Sequence, residues 1–274
     1  MKPFKLGVLG YGKMGKSLID GLLEREFIDE DHIHLYTPHS AKVALEEHPA
    51  MVAHASADDL VSAVDVVLCC VKPQILPQVI GDLRLALHNK VLISIAAGIR
   101  TEQLVAMCDT STQVLRVMPN LAVQVLKGVT LISSAHTLDP DWFNACAVMF
   151  EKLGKVLLIE EDKMDIGSVL TGSLPAYLAY FLNGVKHGVS SQFSDEETLA
   201  MLYETVKGTI AYLEATGISP LELIDRVCSP NGSTIEGIRY LRDQHVDDLL
   251  AHAVRQSEAR AKALGGALVK NNIV

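Results

Sequence analysis

Aromatic residues are scarce in this sequence. They make up 5% of 274 residues, with a single Trp, so the core must be built from Ala, Val, Leu and Ile. A basic surplus is also missing: 24 Lys plus Arg stand against 33 Asp plus Glu, a net charge of −9. That balance argues against a nucleic-acid backbone as partner, because such binding needs a net basic face, although a local basic pocket stays open. The five cysteines, Cys69, Cys70, Cys108, Cys146 and Cys228, form no C-x-x-C pair. Their odd number and wide scatter suggest reduced thiols and a cytoplasmic location. Cys69 and Cys70 lie in an apolar run, so they are read as core packing.

Long apolar segments are lacking too. The opening run Leu6–Gly10 is too short for a secretory signal, and no cleavage pattern follows it. The longest uncharged run lies between Asp165 and Lys186, twenty residues, but it holds Gly167, Ser168, Thr171, Gly172, Ser173, Pro175, Asn183 and Gly184. It reads as a helix buried on nearly all sides rather than a membrane span, and no membrane partner is expected.

What is present is a globular composition, 49% apolar and 21% charged, over a length that suits one large or two ordinary domains. The first half alternates β-rich runs with helical patterns. Strands are predicted at 5–10, 32–36, 51–53, 66–71, 91–96, 113–118, 129–132 and 156–159. Several are near-continuous Val/Ile/Leu runs, as strands buried on both faces of a parallel sheet require. Helices are predicted between them, for example at 13–25, 73–87 and 140–152. Asp139 would cap the last of these, with Pro140 at its first position. After Glu161 the strand signals stop, and 162–190, 195–216, 220–227, 234–242 and 246–264 read as helix. Ser194-Asp195-Glu196-Glu197 has capping-box spacing at the start of the second. The expected architecture is α/β: a doubly wound Rossmann-type domain over 1–161, then an all-helical domain over 162–274. The uncharged first helix of the second domain would be hidden by dimerisation.

Gly10-Tyr11-Gly12-Lys13-Met14-Gly15 is a G-x-G-x-x-G that follows a strand and opens a helix, the context a dinucleotide site requires. Gly10 would allow the tight turn, Gly12 the approach of a pyrophosphate, and Gly15 close helix–strand packing. An acid about twenty residues on would bind the ribose 2′-hydroxyl of NAD. Asp29, Glu30 and Asp31 have that distance but precede the second strand, whereas the contact belongs just after it. There the sequence reads Tyr36-Thr37-Pro38-His39-Ser40-Ala41-Lys42, without a carboxylate. Thr37 and its neighbours favour NADP, with NAD the alternative. Lys72 and Asn120 each follow a predicted strand, at the carboxyl edge where ligands bind in open α/β sheets. Cofactor contact is the reading for both, against an ordinary solvated loop.

Two patterns mislead. His32 and His34 sit two apart on a predicted strand, but no Cys or carboxylate stands at ligand spacing, so no metal is expected. Lys186 with Asn183 suggests the catalytic helix of a β-hydroxyacid dehydrogenase, but that site needs an Asn one turn later, where Ser190 stands.

The ordered set Gly10–Gly15, Val71-Lys72-Pro73-Gln74, Ser94-Ile95-Ala96-Ala97-Gly98, Arg116–Asn120, Thr171–Tyr177 and Ser229–Ile235 resembles the pyrroline-5-carboxylate reductases over essentially the whole chain. The resemblance implies NAD(P)H-dependent reduction of a cyclic imine to L-proline, the last step of proline biosynthesis, by a homodimer or higher homo-oligomer. It also implies that Tyr11, Lys13, Met14, Val71, Pro73 and Ala97 border the cofactor. Ser229, Asn231, Gly232 and Ser233 would hold the substrate carboxylate, and Thr234 would be the catalytic contact to the ring nitrogen. The Ser229–Thr234 loop has no titratable residue, which suits an imine that arrives already protonated. Departures from the family pattern are Leu121-Ala122 where it has Thr-Pro, Leu174 where it has Gly, Ser233 where it has Thr, and Asn231 where it has one Gly of a Gly-Gly pair. Asn tolerates positive φ, so the last change keeps the turn available. The other departures leave two alternatives, a reductase of a related imine or 2-hydroxy acid and a non-catalytic nucleotide-binding paralogue.

Overall fold

The computed structural model describes residues 3–38, 41–189 and 193–270, the last with side chains to 263. His39, Ser40 and Ser190 lie outside the described residues. The chain forms two compact units, Met1–Ser173 with Ser257–Val274, and Leu174–Gln256.

The first unit is a doubly wound α/β domain. Its elements run β1 (Leu6–Leu9), α1 (Lys13–Glu24), β2 (Ile33–Tyr36), α2 (Ala41–Glu47), β3 (Val52–Ala53), α3 (Ala57–Ala63), β4 (Val66–Cys69), α4 (Leu76–Asp82), β5 (Val91–Ser94), α5 (Thr101–Met107), β6 (Gln113–Met118), β7 (Gly128–Ser133), α6 (Pro140–Glu151), β8 (Gly154–Ile159) and α7 (Met164–Ser168). The sheet order is β3-β2-β1-β4-β5-β6-β7-β8. All neighbours are parallel except β6 and β7, which pair antiparallel.

The Val/Ile/Leu runs have their reason in burial. Every residue of β1, β4 and β5 is buried, and alternate side chains feed two cores, one on each face. Leu6, Val8, Val66, Leu68, Val91 and Ile93 pack with Leu18, Leu22 and Phe150 on one side. Val67, Cys69 and Leu92 pack with Leu60, Leu76, Ile80 and Leu104 on the other. Cys69 is thus a core residue, and burial pushes its thiol up to about 11. Asp139 caps α6, accepting from Trp142 N at 2.9 Å. The helix predicted from Pro73 begins only at Leu76, because residues 73–75 form a turn closed by Ile75 N to Lys72 O at 3.1 Å.

The second unit is helical: α8 (Leu174–Gly188), α9 (Asp195–Thr216), α10 (Pro220–Val227), α11 (Ser233–Asp243) and the start of α12 (Val246–Lys270). Ser194 and Glu197 form the expected capping box, and Ser219 with Glu222 forms another that opens α10. Two expectations are corrected. Residues 162–190 are not one α-helix, because a 3₁₀ turn precedes α7 and a π turn at Val169–Ser173 follows it. Nor is the uncharged stretch buried in the single chain. No residue of α8 is buried, and Tyr180 and Phe181 are 81% and 56% exposed. Composition reports that a surface is apolar, not which chain covers it. No helix among the described residues is long and apolar enough to cross a membrane.

His34 and His32 each have another partner. His32 precedes β2, with Nδ1 2.9 Å from Asp31, whereas His34 Nδ1 meets His54 Nε2 at 2.8 Å with the rings stacked. Burial, with His54, Lys5 and His32 acting the same way, holds the His34 pKa below its usual 6.5. The unfolded chain therefore takes up this proton before the native one does. Stability is complete above the unfolded value and falls as pH drops below it. We expect the melting temperature to fall more steeply between pH 7.5 and 5 for the wild type than for His34→Gln, which keeps hydrogen-bonding capacity without titrating. Parallel curves would remove His34 from the acid response.

Candidate functional site

The three glycines at the junction of β1 and α1 have three distinct physical duties. Gly10 has φ +93°, and its N–H donates to Tyr36 O at 3.0 Å. A Cβ on Gly15 would lie 2.6 Å from Gly10 O and 3.3 Å from Cys70 Cβ, so only glycine lets the helix approach the strand. A Cβ on Gly12 would meet nothing within 4 Å. Gly12 is the N-cap residue of α1, no side chain caps the helix, and its first turn has no acid. The helix thus presents backbone N–H donors and the positive end of its dipole to an open cradle, which fits a pyrophosphate.

Around the cradle, Tyr11 is buried at 6% exposure, and burial pushes its hydroxyl up to about 12. Met14 packs against the core and Lys13 lies on the exposed face of the first turn. Lys16 bridges Asp20 and Glu47, while His48 Nε2 lies 2.9 Å from Asp20, so α1 is tied to α2 behind the loop that follows β2. That loop begins with half-buried Thr37 and exposed Pro38. Asp29, Glu30 and Asp31 stand at the amino end of β2, away from this edge.

The same carboxyl edge carries the other expected residues of this unit. Val71 and Pro73 are half-buried and Lys72 is exposed beyond β4. Ala97 is half-buried beyond β5, beside Gly98 with φ +78°. Asn120 lies beyond β6. It is 8% exposed, its Oδ1 accepts from Val129 N at 3.0 Å, and its Nδ2 donates to Thr171 O at 3.0 Å. Both ends of the amide are occupied by this chain, a pairing fifty-one residues apart that no local pattern discloses.

A buried ion cluster was also missed. Arg116, 3% exposed in the middle of β6, pairs with Glu161 at 2.5 Å and Asp165 at 2.9 Å. Glu161 further accepts from Ser133 Oγ and from Thr101 Oγ1 at 2.9 Å. Burial opposes ionisation of Glu161, but these hydrogen bonds and the guanidinium outweigh it and hold the carboxyl below its usual range. The available signal was one Arg between apolar neighbours in a strand, with two acids spaced i, i+4 much later.

In the second unit, Ser229–Thr234 links α10 to α11. Gly232 N donates to Ser229 O at 3.0 Å and closes the turn. Asn231 adopts φ +62°, the left-handed conformation expected of it, and a Cβ on Gly232 would come 2.5 Å from Ser229 Oγ. Gly232 is the N-cap of α11, again without a side-chain cap, and Ser233 and Thr234 are the first helical residues. Thr234 lines an open, mostly apolar cavity of about 620 Å³ with Thr209, Tyr212, Arg226, Cys228 and Ile238. Lys186 is held by Asp195 at 2.6 Å, so its ammonium has a structural partner. Leu121 and Leu174, two of the family departures, are 59% and 53% exposed.

Comparison with known proteins agrees with the fold. Residues 161–264 match the family described as pyrroline-5-carboxylate reductase dimerisation, and residues 5–98 match NADP oxidoreductase coenzyme F420-dependent. The pyrroline-5-carboxylate reductases of Treponema pallidum and Methanosarcina acetivorans are each 30% identical. Alignment with the first covers 91% of this chain and 97% of the relative; with the second, 97% and 99%. The crystal structure of Plasmodium falciparum pyrroline carboxylate reductase with NADP bound has TM-score 0.89 at 26% identity, covering 97% of this chain and 99% of its own. The Streptococcus pyogenes enzyme has TM-score 0.86 at 27% identity, covering 95% and 99%.

The glycine geometry separates folding from binding. Gly12→Ala should fold as the wild type does, yet weaken NADPH binding at least ~10-fold, because its methyl group points only into the cradle. Gly15→Ala should lower the melting temperature as well, since its Cβ meets backbone. Fluorescence titration and thermal melts check both, and unchanged NADPH affinity in Gly12→Ala would place the pyrophosphate elsewhere.

Proposed function

The chain belongs to the pyrroline-5-carboxylate reductases, and we propose that it reduces Δ1-pyrroline-5-carboxylate to L-proline with NADPH. The observation that carries this reading is the Ser229–Thr234 turn: a left-handed Asn231, a glycine N-cap without a capping side chain, and no titratable residue from Ser229 to Thr234. Such a turn offers amides and hydroxyls to a carboxylate but no proton donor of its own. It suits a cyclic imine whose nitrogen is already protonated and needs only to be held.

The residues divide the work as follows. Ser229 and the amides of Asn231 and Ser233 hold the substrate carboxylate, Gly232 keeps the turn closed through its own N–H to Ser229 O, and Thr234 hydrogen-bonds the ring nitrogen. The Gly10–Gly15 loop, with Tyr11, Lys13 and Met14, holds the pyrophosphate on the N-terminus of α1. Val71, Lys72, Pro73 and Ala97 border the dinucleotide along the carboxyl edges of β4 and β5. When bound, the reduced nicotinamide supplies the hydride that converts the electrophilic carbon. The protein's contribution is orientation and exclusion of water.

Preference for NADPH over NADH is supported by the lack, from Tyr36 to Lys42, of any carboxylate that would repel a 2′-phosphate. NADP in the Plasmodium falciparum relative supports the same choice. A homodimer built on the helical unit is supported by the dimerisation-family match and by the exposed apolar residues of α8. A cytoplasmic setting is supported by five free thiols, and the charge of −9 disfavours a nucleic-acid partner.

Oxidation of NADPH by the purified protein should depend on pyrroline-5-carboxylate and exceed that of NADH at equal concentration. Folded protein that binds NADPH without turning over this imine would sink the reading. Thr234→Ala should lower kcat about 10- to 100-fold, the effect of removing one hydrogen bond to a charged group, and leave the NADPH Kd within about twofold. Sedimentation equilibrium should give at least a dimer; a monomer at micromolar concentration would contradict the assembly.

A further inference from the structure

In a sheet of this order, β1, β2 and β3 serve one half of a dinucleotide and β4, β5 and β6 the other. The pyrophosphate cradle lies at the end of β1. Asn120 stands two residues beyond β6, on the carboxyl edge of the nicotinamide half. Its side chain grips the π turn Val169–Ser173 through the Thr171 carbonyl and grips the start of β7 through Val129 N–H.

A π turn takes backbone groups out of the α-helical ladder, and such turns recur at functional sites. Here the turn is secured on several sides. Asn120 donates to the Thr171 carbonyl, Thr171 Oγ1 donates to Gly167 O at 3.1 Å, and Arg116, four residues before Asn120, holds Glu161 and Asp165 upstream. Despite these tethers the turn is not sealed. Gly172 is exposed, and a Cβ there would meet nothing within 4 Å. A rigidly held turn with an open face, beside the nicotinamide half of the site, is placed to act on what binds there.

We propose that Asn120 is a positioning residue for hydride transfer: by holding the Thr171 carbonyl it fixes the Thr171–Ser173 edge of the π turn against the nicotinamide half of the site. Asn120 thus acts through the turn rather than by touching cofactor. The inference rests on the reductase reading above, since its readout is turnover of the imine.

Asn120→Asp keeps the acceptor for Val129 N–H but sets an oxygen against the Thr171 carbonyl. Asn120→Ser restores a donor on a shorter side chain. We expect Asn120→Asp to fold cooperatively, to lose ~10-fold or more in kcat, and to keep its NADPH Kd within about twofold. Hydrogen exchange should quicken across residues 169–173 and not in β6 or β7, and Asn120→Ser should recover part of kcat. A raised NADPH Kd with kcat unchanged would make Asn120 a direct cofactor contact and overturn the proposal. A lowered melting temperature with kcat unchanged, or failure of both variants to fold, would make its role structural and also overturn it. Wild-type protein that binds NADPH but does not turn over the imine defeats the reductase reading instead, and that result is independent of any Asn120 variant.

Discussion

A guanidinium buried in the middle of a sheet imposes its own conditions on the chain. Arg116 lies among apolar neighbours in β6, and a charge so placed is tolerated only with partners that replace water. Those partners are Glu161 and Asp165, on the segment leaving β8, so that segment must return over the end of β6. Glu161 then draws in Thr101 from α5 and Ser133 from β7. The strand that carries Arg116 thereby fixes the path by which the chain leaves the sheet, and Asn120 fixes the next turn. This is why the first compact unit runs on to Ser173, although its last strand ends at Ile159.

Two helix openings follow one plan in otherwise unrelated units. Each is the N-terminus of a helix whose N-cap is glycine, Gly12 for α1 and Gly232 for α11, with no capping side chain. Helix N-termini of this kind leave backbone N–H donors that suit an anionic ligand. Since those donors are backbone, a chain with charge −9 can be designed around anionic small molecules without a basic surface. The arrangement confines recognition to places where Cβ atoms are absent. A one-carbon substitution can therefore act more strongly there than a change of charge nearby.

The helical unit leaves a different requirement. Its first helix is apolar but uncovered in the single chain, with Leu178, Tyr180, Phe181 and Val185 all exposed. Exposed apolar area on this scale marks an interaction surface, which agrees with the dimerisation family matched over residues 161–264.

Much of this molecule was legible from local pattern. Runs such as Val66–Cys69 and Val91–Ser94 announce strands buried on both faces. Gly10, Gly12 and Gly15 announce a strand–turn–helix, and Asn231 announces a left-handed turn, because each reflects sterics within a few residues. Helix ends marked by Asp139 and Ser194 were legible for the same reason. What tertiary structure alone decided depends on residues far apart in sequence. His34 meets His54 rather than His32, and Arg116 meets Glu161 and Asp165. The Asn120 amide turns inward to Thr171, and the apolar helix at Leu174–Gly188 lies uncovered in the single chain. Periodicity specifies which face of an element is apolar or polar, but a buried polar group takes the nearest satisfying partner in space, and that choice exists only once the chain has closed on itself.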